Sequence, residues 1–192
     1  MRWTDDSAKA TYRSLSAWCD SMRRTAAGGS LETIAARVAA RRGSDPPLVV
    51  LASAAGRAAW DHVGRSPLER GGLLLGEPLV HAPGDAVPAV VFVRTAVPGL
   101  DDDATEYSLR LAAGVWDAAR VALLPGEVVV GWFHSHPDIG AFFSGTDRRT
   151  QAGFFQHPFS VGWVIDPVRR EQAWFVGPRS HELANDSVFL LR

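Results

Sequence analysis

The order of apolar patterns along the chain predicts a mixed α/β fold, with a single central β-sheet flanked by helices and an N-terminal helical arm. Three observations carry that expectation. Apolar runs of strand length recur beyond residue 47, while helical stripes lie between them. Residues 1–46 show only helical spacing. The 192 residues, 46% hydrophobic and 21% charged, have the size and composition of one ordinary domain with room for one appended element.

The arm comes first. Thr4 with Asp5 and Asp6 is expected to open a helix, because acidic residues favour the first turn. Tyr12, Leu15, Trp18 or Cys19, and Met22 continue it at helical spacing, and Gly28-Gly29 is expected to stop it. Ser30 can cap a second helix with the stripe Leu31, Ile34, Ala35 and Val38, closed by Gly43. Such stripes can dock on a partner or pack on their own domain. Asp45-Pro46-Pro47 marks the boundary, since a proline disfavours helix at the residue before it. The division is therefore 1–46 for the arm and 47–192 for the domain that follows.

Within that domain, LVVLAS (48–53) reads as a buried strand and residues 54–62 as a helix. GGLLLG (71–76) and AVVFVR (89–94) read as strands joined by a turn-rich segment with Pro83, Gly84 and Pro88. An acidic loop at 101–103 precedes an expected helix over 108–123, with Leu109, Ala112, Ala113, Trp116 and Ala119 on its faces. Residues 127–133 form the most apolar strand, 146–156 a helix, and 161–165, 172–176 and 188–191 short strands.

Several function classes are excluded. Lys plus Arg number 20 against 21 Asp plus Glu, a net charge of -1, so no global field attracts nucleic-acid phosphates or an anionic membrane. No apolar run approaches the roughly 18 residues of a membrane span, and the first residues lack the apolar core of a signal peptide. One cysteine, Cys19, excludes a disulfide framework, a multi-cysteine zinc site and the Cys-x-x-Cys pair of cytidine deaminases. There is no His-Glu-x-x-His and no nucleophile elbow. The expected setting is a reducing cytoplasm. Abundant Ala and Arg, with Lys9 the only lysine, fits the codon bias of a GC-rich bacterial genome or an avoidance of lysine acceptors.

The chemistry concentrates in GWFHSHPDIGAFFSGTDRRTQ, residues 131–151. His134 and His136 stand two apart at a strand end, so both imidazoles project from one face. Asp147, on the first turn of the next helix, can fold back as a third ligand. Two histidines and one carboxylate leave a fourth position open, the layout of a catalytic zinc. Ser144-x-x-Asp147 by itself reads as a helix capping box, and Glu69 by itself as a solvated turn residue. His-x-His-x7-Ser-x2-Asp in one register arises by chance in on the order of one such chain in several thousand. His62, His81, His157 and His181 have no partner at ligand spacing.

Together, Glu69, His134-Ser135-His136-Pro137, Ser144 and Asp147 resemble the JAMM motif of the MPN-plus (JAB-domain) zinc metalloproteases, and every motif position is filled. Leu68-Glu69-Arg70 leading into GGLLLG, and VGWVIDP (161–167), are similar to flanking strands of that family; the likeness covers roughly 47–178. It implies a curved sheet of the cytidine-deaminase-like type. It implies one Zn2+ held by His134, His136 and Asp147, with Glu69 as general base toward the zinc-bound water and Ser144 as oxyanion donor. Ser135 would orient the loop or a neighbouring histidine. The implied activity is that of a peptidase or isopeptidase acting after the C-terminal Gly-Gly of a ubiquitin-like protein, by deconjugation or precursor processing. Sulfur-carrier proteins are the related substrate class, often with an activating-enzyme pathway alongside. The alternative is a non-catalytic scaffold module with a structural metal. Ile139, Phe142 and Phe143 offer apolar contact area beside the site.

Overall fold

The computed structural model describes residues 12–23, 28–41, 45–64, 66–83, 85, 87–99, 104–105, 108–109 and 113–191. Its frame is a nine-stranded mixed sheet. In chain order the strands are β1 (Arg13–Ser14), β2 (Leu48–Ala52), β3 (Gly71–Val80), β4 (Val90–Pro98), β7 (Val128–Ser135), β8 (Val161–Asp166), β9 (Glu171–Val176), β10 (His181–Glu182) and β11 (Val188–Leu191). They lie side by side as β10-β9-β8-β7-β3-β4-β2-β11, with β1 parallel to the end of β3. A separate hairpin joins β5 (Ala104–Thr105) to β6 (Ser108–Leu109). The helices are α1 (Leu15–Met22), α2 (Gly28–Ala39), α3 (Ser53–Val63), α4 (Ala113–Ala122) and α5 (Gly145–Phe154).

Alternation along each strand divides the core between the two faces. Val49 and Leu51 of β2, Val91 and Val93 of β4, and Phe133 of β7 pack with Ala55, Ala59 and Val63 of α3. On the opposite parity, Leu73 and Leu75 of β3 and Trp132 of β7 pack with Val115 and Ala119 of α4. Leu48, Val50 and Val90 receive Leu15 and Trp18 of α1 and Leu31, Ile34 and Val38 of α2. Leu15, Trp18, Cys19, Leu31, Ile34 and Val38 of the two expected stripes are therefore buried against this chain's own sheet, whereas Ala35 is exposed and Tyr12 and Met22 are half-buried. With both faces covered, the strands read as near-continuous apolar runs.

The central strand curves. β3 shifts register against β7 between Leu74 and Leu75, and against β4 between Leu75 and Gly76. Two bulges at one point bend and twist the strand. Gly76 is required there, because a Cβ would lie 1.8 Å from the Phe92 carbonyl oxygen. Turn-like Gly76-Glu77-Pro78 thus stays in the ladder, and β3 runs on to Val80.

Four expectations are corrected. Helix α1 begins at Leu15, because Arg13 and Ser14 pair with Leu79 and Val80 as strand and the Ser14 hydroxyl accepts the Ala17 N–H as N-cap. The expected start at Thr4, the acidic loop 101–103 and Gly43 lie outside the described residues. Gly28 and Gly29 open α2 rather than separating two helices, so Ser30 is inside it. The helix expected over 108–123 begins at Ala113, since Ser108–Leu109 is hydrogen-bonded to Ala104–Thr105 as strand.

Candidate metal centre

The site forms where β7 leaves the sheet. Its last residues, His134 and Ser135, pair with Val164 and Ile165 of β8, and the His136 N–H continues the ladder onto the Ile165 carbonyl. His134 and His136 therefore share one face, and both are buried. The loop after Pro137 leads to Ser144, which caps α5: its hydroxyl accepts the Asp147 N–H at 3.2 Å, and the Asp147 carboxylate accepts the Ser144 N–H at 2.6 Å. That capping box turns Asp147 back toward the imidazoles. The cap and the inward-facing carboxylate coexist in one motif.

Convergence is close. The two Nε2 atoms are 3.2 Å apart, and they face the Asp147 oxygens at 3.3 Å from His134 and 3.5 Å from His136. A tetrahedral ion with bonds of about 2.0–2.1 Å separates its ligands by about 3.3–3.4 Å. The buried donor set thus fits a zinc-sized cation. His134, His136 and Asp147 are the one such group among the described residues.

Glu69 arrives from 65 residues upstream. It precedes β3, is 5% exposed, and places Oε1 3.8 Å from His136 Nε2. Burial raises its pKa to about 7; the His136 charge opposes the rise and the Asp147 charge adds to it. Burial also opposes ionisation of Asp147, but hydrogen bonds from His134 and His136 outweigh it and hold that carboxyl well below the usual range. Burial lowers the pKa of His134. It acts the same way on His136, where the hydrogen bond to Asp147 overcomes it and the net shift is upward.

Ser135 has a concrete place. Its hydroxyl accepts the Arg70 N–H at 2.9 Å and its own N–H donates to the Arg70 carbonyl at 2.8 Å. It anchors the segment carrying Glu69, not a histidine. Of the three apolar loop residues, Phe143 is buried and stacks on Phe175, whereas Ile139 and Phe142 are 44% and 47% exposed. The Phe142 ring meets His136 edge-on at 5.0 Å between centroids.

Sequence reasoning missed Asp166. Fully buried at the end of β8, it accepts backbone N–H groups from Asp138, Gly140, Val168 and Arg169 at 2.7–3.1 Å. These bonds overcome the cost of burial and lower its pKa. Two of the donors belong to the loop following His136. The only sequence signal was Asp-Pro at a strand end, an ordinary turn. Asp166→Asn should cost about 1–3 kcal/mol, because an amide NH2 replaces one acceptor oxygen facing backbone donors; urea denaturation of metal-free protein checks it.

A family model for prokaryotic homologs of the JAB domain matches residues 50–177. The ubiquitin carboxyl-terminal hydrolase RPN11 of Saccharomyces cerevisiae is 34% identical over 108 residues, 54% of this chain and 33% of that protein. The NAD(+) hydrolase TcpA of Theionarchaea archaeon is 32% identical over 108 residues, 56% of this chain and 30% of that protein. The matches thus span about a third of these relatives. A solution structure of protein DSY2949 from Desulfitobacterium hafniense has a TM-score of 0.54 at 22% identity, covering 74% of this chain and 92% of that one, a likeness of fold.

Proposed function

This chain belongs to the prokaryotic homologs of the JAB domain, and we propose that it is a zinc-dependent peptidase or isopeptidase acting after the C-terminal Gly-Gly of a ubiquitin-like protein. The catalytic unit would be 47–192, with α1 and α2 of the arm 1–46 covering one part of the sheet. The observation that carries the reading is geometric: a buried carboxyl, Glu69, lies 3.8 Å from His136 beside three converging donors that could hold a metal ion.

His134, His136 and Asp147 would hold the ion. When bound, zinc supplies a Lewis acid and lowers the pKa of a water to about 7. Glu69 accepts the proton that the attacking water loses as its oxygen bonds to the carbonyl carbon. When the C–N bond breaks, the same carboxyl returns that proton to the leaving amine. A single buried carboxyl beside the ion can serve in both directions, as base and then as acid. The Ser144 hydroxyl, whose oxygen accepts the Asp147 N–H at the entrance to α5, is the donor assigned to the developing oxyanion. Ser144→Ala should keep its metal, slow turnover and lose about 1 kcal/mol of stability with the cap. Parallel rate and melting measurements separate the two losses.

The yeast relative carries ubiquitin in its name. A tail of two glycines is narrow enough to pass buried ligands, and backbone pairing along a strand tolerates any sequence. Ile139 and Phe142 offer the exposed apolar contact for the folded body of the modifier. The test is intact-mass analysis of zinc-loaded protein with ubiquitin-like and sulfur-carrier fusions. Cleavage after Gly-Gly is expected, with poor cleavage of short peptides and none when leucine replaces the penultimate glycine of the substrate. Equal turnover of that leucine tail would reject the substrate class while leaving the hydrolase reading in place.

A further inference from the structure

We infer that Trp132 and Gln151 are positioning residues for the metal ligands, a reading that rests on the metal centre proposed above. Each stands a fixed covalent step from a ligand. Trp132 precedes His134 by two residues on the same face of β7, and Gln151 follows Asp147 by one helical turn of α5. The two side chains meet in a buried hydrogen bond, Trp132 Nε1–H to Gln151 Oε1, at 2.7 Å. That bond ties the strand bearing two ligands to the helix bearing the third.

The remaining contacts leave neither group free to turn. Gln151 is fully buried, and its Nε2 donates to the carbonyls of Ser160 at 2.9 Å and Gly177 at 3.3 Å. A flipped amide would set NH2 against the indole N–H and oxygen against two carbonyls, so one orientation is enforced. The indole lies flat on the His134 imidazole, with centroids 4.5 Å apart and planes 9° from parallel, and Phe155 stacks near it at 5.8 Å and 6°. His134 Nδ1 is buried with no hydrogen-bond partner among the described residues. Metal-binding histidines ordinarily fix their ring plane by a hydrogen bond from that second nitrogen. Here the stacked indole holds the plane instead. Gly162 leaves the space for this arrangement, since a Cβ there would lie 2.3 Å from Phe143 and 3.2 Å from Gln151 Oε1.

The test measures zinc affinity by competition with a chromophoric chelator, and ligand geometry by the visible absorption of Co2+-loaded protein. Trp132→Phe keeps an aromatic ring but removes the donor; Gln151→Leu removes the acceptor. Each is expected to weaken binding by about 10–100-fold, the usual loss for a group that orients a ligand, and to change the cobalt bands. Trp163→Phe is the matched control. It breaks a similar bond, Trp163 Nε1–H to Gln172 Oε1 at 3.0 Å, between β8 and β9, neither of which carries a ligand. Its affinity should stay within about twofold of wild type. Circular dichroism checks folding, and if Gln151→Leu does not fold, Trp132→Phe decides. Wild-type affinity and spectrum in the folded variants would overturn the inference, as would an equal loss in the control. Failure of the wild type to bind either ion would instead remove the metal centre itself.

Discussion

Glu69→Gln is expected to lower hydrolysis of a Gly-Gly fusion by about 10²–10⁴-fold, the range for loss of a general base, while zinc stays near one per chain. Glutamine keeps the size and one acceptor oxygen but cannot take up a proton. Glu69 lies outside the three-ligand group, so the ion has no reason to leave. The fold should not suffer. In metal-free protein the native carboxyl keeps its proton to about pH 7, against 4.5 ordinarily. The native state therefore binds more protons across that window, and Glu69 contributes less stability as pH rises from about 4.5 to 7. Glutamine does not titrate and removes this decline. A melting series from pH 5 to 8 should be flatter in the variant than in the wild type. Substantial residual turnover would assign proton transfer to another group.

Replacing His134, His136 or Asp147 by alanine should reduce zinc from about one per chain to near zero, because two remaining ligands do not retain the ion. Elemental analysis after dialysis checks this directly. Thermal denaturation gives a second readout. A ligand that binds only the native state adds about 2.7 kcal/mol at a hundredfold excess over its dissociation constant. Added zinc should raise the melting temperature of wild type and leave the three variants unmoved. Full zinc retention in all three would place the metal elsewhere. Asp147→Ala should also melt lower without metal, since its carboxylate accepts the Ser144 N–H that closes the capping box.

Particular residues show how far sequence reasoning reached. LVVLAS and residues 127–133 were legible as strands because residues of both parities are buried, between α3 on one side and α1, α2 and α4 on the other. The misread segments are short or bear ambiguous residues. Ser108 and Leu109 fit a helical stripe, yet pairing with Ala104 and Thr105 decides them. Gly28 and Gly29 look like a stop, but nothing in a local pattern excludes them from a helix opening. Tyr12 fits the stripe of α1 but precedes its cap.

The amino-acid order alone determined the alternation of elements and three of the site groups, because His134, His136 and Asp147 fall within 14 residues and a capping box dictates how the last of them turns. It determined little about groups whose role depends on what lies across the sheet. Glu69 became part of the site through the pairing of β3 with β7, reinforced where Ser135 holds Arg70. Asp166 became the anchor of the loop after His136 only when four backbone N–H groups from two segments closed on one buried carboxylate. Trp132 and Gln151 occupy ordinary positions of a strand and a helix, and neither carries a signal of its own. Hydrophobic spacing and capping act over a few residues and are written locally, whereas hydrogen bonds, stacking and burial between distant segments exist only after the sheet has brought those segments together.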